Sequence, residues 1–396
     1  MTFTSQSKKE CFNIKDECRD NYSSLSFIYT FLLISAFLSY DFFYGENYEF
    51  IFVFSFPLIL ALPAALLSPR FAFFREEEIV VFLSAFALYL VFVASYLSGF
   101  KGEGLLLLAP IVILMLLKIA GIQNIRRVLI FILSVVVSLA LIEHFVDGYL
   151  YEKTINNNGK EIVFGKDFFS GSTDLLRAKS IFIGPLTFSA FLISCAIVLR
   201  DNKVGLALCF FGALLSTSRT AIIVTFLIFF CTQIRFGKGK TRTTLLVFAF
   251  SFLSIFLLSF YYSEYLPRLV SVFNFSEVGA NSYRLGFWIS GLKEFSDYGF
   301  FDLLFGNPGY FRGKYGNGAE SGWITLLLDF GFFGFLFYLV PLLYPLIKKR
   351  GFGEKACILS VFLANLVFTF CYGFLGCFFY WLTVYFINIS QKKTSV

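Results

Sequence analysis

The residues with the clearest chemical potential lie in one turn. Ser216-Thr217-Ser218-Arg219 separates two apolar segments, residues 204–215 and 221–231. A serine or threonine there can N-cap the second helix, so that free N–H groups and the positive end of the helix dipole lie beside the guanidinium. A helix N-terminus together with an arginine is a phosphate-binding arrangement. The alternative is that Arg219 pairs with a carboxylate such as Glu143 or Asp174.

Basic residues on the outer flanks set the position of this turn. They precede the first apolar segment and follow the second: Arg200, Lys203, Arg235, Lys238, Lys240 and Arg242. Short basic loops stay in the cytoplasm, so both ends are predicted to lie on one side of a membrane and the segment to form a hairpin. Arg219 is then held at the outward-facing turn, where an arginine is costly unless it pairs. The pattern indicates an anion as the partner.

Two further cations stand before the break Gly184-Pro185. Arg177 and Lys179 end a polar stretch, and the proline interrupts regular helix just inside the next apolar segment. Such a break at membrane depth is tolerated only inside protein or beside a wet cavity, so both cations are candidates for the same anion site. The alternative is a kinked span whose cations extend to the membrane interface.

Arg284 precedes apolar residues at helical spacing, which are Leu285, Trp288, Ile289 and Leu292. This spacing predicts a short amphipathic helix on the membrane surface, with the arginine near its start. Beside tyrosine and tryptophan, the arginine could instead form a cation–π contact within a folded cap. Arg312, in the same outer loop, is a minor candidate for the site.

Glu320 is the candidate base. It opens an apolar segment in which Asp329 lies nine residues deeper, and nine residues rotate a helix by about 180°. The two acids therefore point to opposite faces and do not form a carboxylate pair. Near a helix N-terminus, Glu320 is available as a base or as a partner for an arginine, the alternative being a simple helix-start charge. His144, the only histidine, is a minor candidate base.

The composition is that of a polytopic helical membrane protein. Of its 396 residues, 58% are hydrophobic and 15% charged, with a mean hydropathy of +0.76, whereas soluble proteins have about 25% charged residues. Apolar runs long enough to cross hydrocarbon recur along the chain and predict an all-α fold of about 12 spans. These spans are 25–40, 48–68, 78–98, 104–121, 126–145, 180–199, 203–217, 219–235, 243–262, 320–347, 356–373 and 374–390.

The loop charges predict a topology. Of the 33 lysines and arginines, 21 fall in short loops and tails on one side, which places both termini in the cytoplasm. A single transmembrane domain, 25–390, then lies between cytoplasmic tails at 1–24 and 391–396. Two long outer loops, 146–179 and 263–319, are expected to be folded caps over the site. One histidine, no Cys-x-x-Cys pair and no phosphate-loop motif predict no metal, no cofactor and no ATP use.

These residues resemble the O-antigen polymerase and O-antigen ligase superfamily of bacterial surface-polysaccharide enzymes. The resemblance runs from about Arg177 to Tyr344. Ser216-Thr217-Ser218-Arg219 resembles the family's Ser-x-Ser-Arg element, and residues 174–185 resemble its arginine-rich outer loop before a Gly-Pro or Asn-Pro break. Arg284, followed by Trp288 and the turn at 304–309, is similar to the ligase-loop arginine that precedes a Gly-x-Gly turn.

The fourth element distinguishes the two branches of the superfamily. Glu320-Ser321, nine residues, then Gly331-x-x-Gly334 resembles the ligase pattern of His-[Asn/Ser/Gln], nine residues, Gly-x-x-Gly. Every spacing matches, but Glu320 replaces the histidine. Polymerases commonly carry an acid there, so the difference favours a polymerase.

The resemblance implies a glycosyltransferase of the bacterial inner membrane with an architecture akin to the lipid-dependent, GT-C-like enzymes and a site facing the periplasm or exterior. It would transfer a glycan from an undecaprenyl diphosphate carrier to the acceptor sugar of another lipid-linked repeat unit, without a metal. Arg219 and Arg284 would be catalytic, binding the diphosphate with Arg177 and Lys179, and Glu320 would be the base. Its partners would be the donor, the acceptor and membrane lipid, with a chain-length regulator and a flippase, and no nucleic acid.

Two other functions stay open beside the polymerase. A ligase would transfer the glycan to a lipid core. A lipid-linked oligosaccharide flippase or anion transporter also needs outward-facing arginines, but it should place ionisable residues near the membrane midplane. The long apolar segments hold few such residues apart from Asp329, which favours an enzyme.

Overall fold

The structure is a computed structural model of the chain. The described residues are 27–35, 37–38, 76–97, 105–151, 153–157, 160–164, 177–233, 278–316, 318–348, 351–371 and 373–389. The predicted spans at 48–68 and 243–262, both terminal tails and Asp174 lie outside them.

Helices make up nearly all of this part of the chain. After a helical segment at residues 27–35 come α1 (Glu76–Leu97), α2 (Leu105–Ala120), α3 (Ile122–Val146), α4 (Pro185–Val198), α5 (Lys203–Leu215), α6 (Arg219–Gln233), α7 (Val278–Ser296), α8 (Phe300–Phe305), α9 (Tyr310–Tyr315), α10 (Gly322–Ile347), α11 (Phe352–Val367) and α12 (Gly373–Asn388).

The helical architecture agrees with the sequence prediction, with one addition. Between α3 and α4, β1 (Lys153–Asn157) pairs antiparallel with β2 (Lys160–Phe164), with Lys153 opposite Phe164. The sequence between the two strands is Asn158-Gly159, the usual signal for a two-residue hairpin loop. This hairpin is a local addition and leaves the described architecture helical.

The predicted spans and the observed helices differ at their ends. α4 begins at Pro185 rather than at residue 180, because residues 177–184 enter the bundle without helical structure. The last two predicted spans are separate helices, α11 and α12. Among the described helices, α3 and α10 are long and apolar enough to cross a membrane, and several shorter apolar helices accompany them. The number of 12 spans stays a prediction.

Ion pairs identify one end of the bundle, which we call the Lys348 end. They join the start of α1 to the ends of α2 and α10, and the start of α3 and the end of α4 to their neighbours. The pairs are Lys118–Glu78 at 2.9 Å, Lys348–Glu76 at 2.9 Å, Arg126–Asp201 at 3.0 Å and Arg200–Glu354 at 3.7 Å. Each joins loops or helix ends that the charge pattern placed on one side.

The opposite end, which we call the Arg219 end, contains a recess. α5 and α6 have only 13 and 15 residues, or about 20 and 22 Å of rise. α3 has 25 residues. A Cβ atom on Gly212 of α5 would lie 3.1 Å from Val137 of α3. The end of α5 is therefore level with residues about six positions before the end of α3, roughly 9 Å short of it. The Arg219 turn lies inside the bundle rather than at its rim.

Helices α7, α8 and α9 pack against the start of α10 and form a small helical unit there, which we call the cap. Its core is a small apolar cluster in which Phe311 packs with Ala319, Ile324 and Leu328 at the start of α10, and Trp288 of α7 packs against it. α7 approaches α10 closely at Gly291, where a Cβ atom would lie 2.8 Å from Ile324. The cap therefore positions α7, and with it Arg284, against the beginning of α10.

Candidate active site at the Arg219 end of the bundle

The turn between α5 and α6 is built as its sequence predicted. The backbone N–H of Ile222 donates to Ser218 O at 3.0 Å and that of Ala221 to Ser218 Oγ at 3.5 Å, so Ser218 caps α6. Arg219 is the first residue of α6 and is half-buried. The turn therefore combines a guanidinium with a helix N-terminus, the arrangement that favours an anion.

Glu143 holds the entering segment against this turn. Its carboxylate is fully buried, and its Oε2 accepts hydrogen bonds from the backbone N–H groups of Lys179 at 2.9 Å and Ser180 at 2.8 Å. One residue earlier, Ala178 N–H donates to Leu215 O at 3.2 Å, just before the turn. Arg177 is therefore next to Ala178, which binds the backbone of the Arg219 turn. A single anion site shared by Arg177 and Arg219 requires such proximity.

Lys179 has several internal contacts. It is buried, and its Nζ donates to Tyr151 O at 2.6 Å and Phe182 O at 3.4 Å. The same ammonium lies 5.2 Å from the ring centroid of Tyr149 and 5.4 Å from that of Tyr151. These contacts fix the lysine within the protein rather than at a membrane interface. Its proposed contact with a diphosphate stays a prediction.

Arg284 and Glu320 form an ion pair. Arg284 Nε lies 3.8 Å from Glu320 Oε2, and their side chains are 36% and 28% exposed, so each can reach a ligand. Glu320 stands two residues before α10 and has a left-handed backbone with φ 56°. The predicted helix is present as α7, but its apolar residues are divided: Leu285, Ile289 and Leu292 are exposed, whereas Trp288 packs against the core of the cap.

This pair lies at the same end of the bundle as Arg219. Gly322 N–H, at the start of α10, donates to Phe368 O just after α11. At its other end α11 packs on the end of α6, where a Cβ atom on Gly353 would lie 3.2 Å from Thr232. α6 and α11 are therefore antiparallel, and the end of α11 lies at the level where α6 begins. Arg177, Arg219, Arg284 and Glu320 share the Arg219 end.

The buried Asp329 has a role that the sequence did not indicate. α10 breaks at Gly331, whose φ of 65° and ψ of −166° suit only glycine. The turn at residues 304–309 fits this break: Asp329 Oδ1 accepts from Gly309 N–H at 3.1 Å, and Leu328 O from Asn307 N–H at 2.9 Å. Gly331 lies against the backbone of Leu304 in α8 and of Gly306 just after it, so this glycine allows α8 and the following turn to pack closely on α10.

The two minor candidates are exposed. His144 lies on the outer surface of α3, next to the buried Glu143, and Arg312 lies on the surface of α9. Neither is excluded from contact with a large ligand, and both stay predictions.

A second charged cluster on the cap was not predicted. Lys314 Nζ lies 2.9 and 2.8 Å from the carboxylate oxygens of Glu294, to which the Tyr315 hydroxyl also donates. The hydrogen bond from Lys314 lowers the pKa of the Glu294 carboxyl. Burial, followed by the negative charges of Asp329, Glu294 and Asp302, raises the pKa of the Tyr298 hydroxyl. The cluster joins α7 to α9 and so stabilises the cap that carries Arg284.

Comparison with known proteins identifies no relative. No protein-family model matches the chain, and no curated protein matches its sequence. The resemblance to the polymerase and ligase superfamily therefore stays a prediction from the quoted residues.

Proposed function

We propose that the chain is a glycosyltransferase of the bacterial inner membrane that polymerises surface polysaccharide. The observation that carries this proposal is the pairing of Arg284 with Glu320, at 3.8 Å, at the end of the bundle that also holds Arg177 and Arg219. Transfer from a diphosphate requires an acid and several arginines at one site, since the acid takes a proton and the arginines neutralise the leaving group.

The surface of the bundle supports a membrane location. On α1, the large apolar residues Ile79, Leu83, Phe86 and Leu90 recur at helical spacing and are 44–61% exposed. A continuous apolar stripe of this kind faces either lipid or a partner. Together with α3 and α10, which are long enough to cross a membrane, it favours lipid. Both termini would lie in the cytoplasm and the Arg219 end outside.

In the proposed reaction, the hydroxyl oxygen of the acceptor sugar attacks the anomeric carbon of the donor glycan. The bond between that carbon and the diphosphate oxygen breaks, and its electron pair leaves with the polyprenyl diphosphate. Glu320 accepts the hydroxyl proton. Arg177, Arg219 and Arg284 neutralise the charge that grows on the diphosphate, so the transfer requires no metal. The recess would allow the diphosphate to reach Arg219 while its lipid tail stays in the membrane.

Polymer formation tests this proposal. We expect Arg219→Ala to lower the transfer rate about 100- to 1000-fold, equivalent to about 2.7–4 kcal/mol of lost transition-state stabilisation. Arg219→Lys is the matched control, since lysine keeps the charge but cannot make a bidentate contact with a phosphate. Its transfer rate should be intermediate. Purified enzyme with lipid-linked repeat units should give a ladder on a gel. Transfer only to a core lipid would identify a ligase instead.

One observation favours a flippase as the second candidate. α10 is broken at Gly331 beside the buried Asp329, and broken helices with a buried charge are typical of transporters. Cells carrying Arg219→Ala distinguish the two functions. A polymerase variant should leave single repeat units on the outer face, whereas a flippase variant should leave them on the inner face.

A further inference from the structure

The turn before α6 carries three consecutive hydroxyl side chains, and two of them have hydrogen bonds within the protein. Ser216 Oγ donates to Ala213 O at 2.9 Å and accepts from Ser218 N–H at 3.3 Å. Ser218 Oγ accepts from Ala221 N–H at 3.5 Å. Thr217 Oγ1, between them, is buried and has no hydrogen-bond partner in the part of the chain that the structure describes.

The backbone at Thr217 is also unusual. Its φ is 48°, in the left-handed region, which β-branched residues rarely adopt. Its N–H donates to Leu214 O at 3.0 Å, so the conformation is held by the end of α5. A glycine or asparagine would adopt this conformation with less strain. The turn therefore carries a threonine where backbone geometry alone favours another residue.

Both features occur two residues before Arg219. A buried hydroxyl without a partner and a strained backbone each destabilise a protein, and such features cluster where a ligand is bound. A hydroxyl that only stabilised the turn would have an internal partner, as those of Ser216 and Ser218 do. A phosphate oxygen at the start of α6 would be a suitable acceptor for the Thr217 hydroxyl.

We propose that Thr217 Oγ1 donates a hydrogen bond to a phosphate oxygen of the diphosphate that Arg219 binds. This inference rests on the proposed function and adds a neutral donor to its cationic site. Thr217 would fix the orientation of the diphosphate, whereas Arg219 supplies the charge. A hydrogen bond to a charged group is strong enough that its loss should weaken binding about 10-fold or more.

The test measures the dissociation constant of a short-chain polyprenyl diphosphate with the purified full-length protein. Thr217→Val keeps the shape and the β-branch but removes the hydroxyl, and Thr217→Ser keeps the hydroxyl. We expect Thr217→Val to bind about 10- to 100-fold more weakly and Thr217→Ser to bind within about twofold of the original protein. Thr217→Ala, which is less strained, provides a second variant without the hydroxyl. Inorganic pyrophosphate as a second probe separates head-group binding from lipid binding.

Thermal unfolding distinguishes the proposed role of Thr217 from a purely structural one, because the two roles predict opposite changes in the melting temperature. Because the hydroxyl has no hydrogen-bond partner among the described residues, Thr217→Val should melt at or above the temperature of the original protein. Weaker binding with unchanged or higher stability supports the proposal. Equal binding by Thr217→Val, Thr217→Ser and the original protein overturns it and leaves the proposed function intact. If the original protein binds neither probe while Arg219→Ala behaves identically, the proposed function fails and this inference with it.

Discussion

Replacing Glu143 by alanine should destabilise residues 177–184, the non-helical segment before α4, more than replacing any exposed charged residue does. The Glu143 carboxylate is fully buried, and one of its oxygens accepts the N–H groups of both Lys179 and Ser180, while the other lies 3.4 Å from Leu150 N. These contacts hold the non-helical segment that carries Arg177. Without the carboxylate, two buried amides lose their acceptor.

The expected loss follows from these two amides. A buried donor without a partner costs about 1–3 kcal/mol, so two cost about 2–6 kcal/mol. Removing the carboxylate also removes the cost of burying its charge, which reduces the net loss to about 2–4 kcal/mol. For a chain of this length, thermal unfolding in detergent should detect a decrease of about 2–5 °C in the melting temperature. Polymer synthesis at low temperature should also fall, because Arg177 loses its fixed position.

Glu143→Gln is the matched control. Both short hydrogen bonds end on the same oxygen, Oε2, and the carbonyl oxygen of glutamine can occupy that position. The glutamine variant should therefore lose less than half the stability that the alanine variant loses. If Glu143→Ala melts like the original protein, or if Glu143→Gln is equally damaging, the proposed anchoring of this segment by an acceptor is wrong.

Three further predictions concern the cap and α10. Glu320→Gln should change the melting temperature by less than about 2 °C, since its half-exposed pair with Arg284 contributes about 1 kcal/mol or less, while polymer synthesis on gels should fall about 100-fold or more. Gly331→Ala should lower the melting temperature strongly, because its Cβ would lie 2.5 Å from neighbouring backbone at φ 65°, whereas Gly313→Ala, with open space, should not. The lowered pKa of the Glu294 carboxyl stabilises the cap at pH values above the unfolded-state pKa of about 4.3. This stabilisation is lost as the pH falls through the folded-state pKa. The melting temperature, measured from pH 7 to pH 3, should therefore depend less on pH in Glu294→Gln than in the original protein.

Much of the helical arrangement could be predicted from local patterns. Length and hydropathy identified α3, α5 and α6. A serine or threonine of the turn was expected to cap α6, and Ser218 does so, because capping depends on residues close in sequence. The lysines and arginines predicted which loops share a side, and the ion pairs at the Lys348 end join segments from one such group. These features depend on short segments, so one sequence was sufficient.

Contacts between distant residues could not be predicted in the same way. Glu143 was considered as a partner for Arg219, but it binds backbone amides 36 and 37 residues away. The sequence separated Glu320 from Asp329 by helical periodicity, but Glu320 lies before α10 with a left-handed backbone, so this argument does not apply to it. Nothing local indicated that Asp329 would accept from Gly309. A side chain's partner depends on how segments pack, and periodicity within one helix carries no information about it.

Backbone strain provides evidence for the site that is independent of any family resemblance. Among the described residues, the non-glycine residues with positive φ are Asp147, Ser180, Thr217 and Glu320, all at the Arg219 end. Asp147 is the ordinary C-cap of α3, but the other three each precede a helix and adjoin a proposed site residue or are one. Each costs about 1–3 kcal/mol and persists only where surrounding contacts enforce it. Packing alone would not concentrate such strain beside the candidate arginines, whereas a site that must hold a diphosphate and a base in fixed positions would.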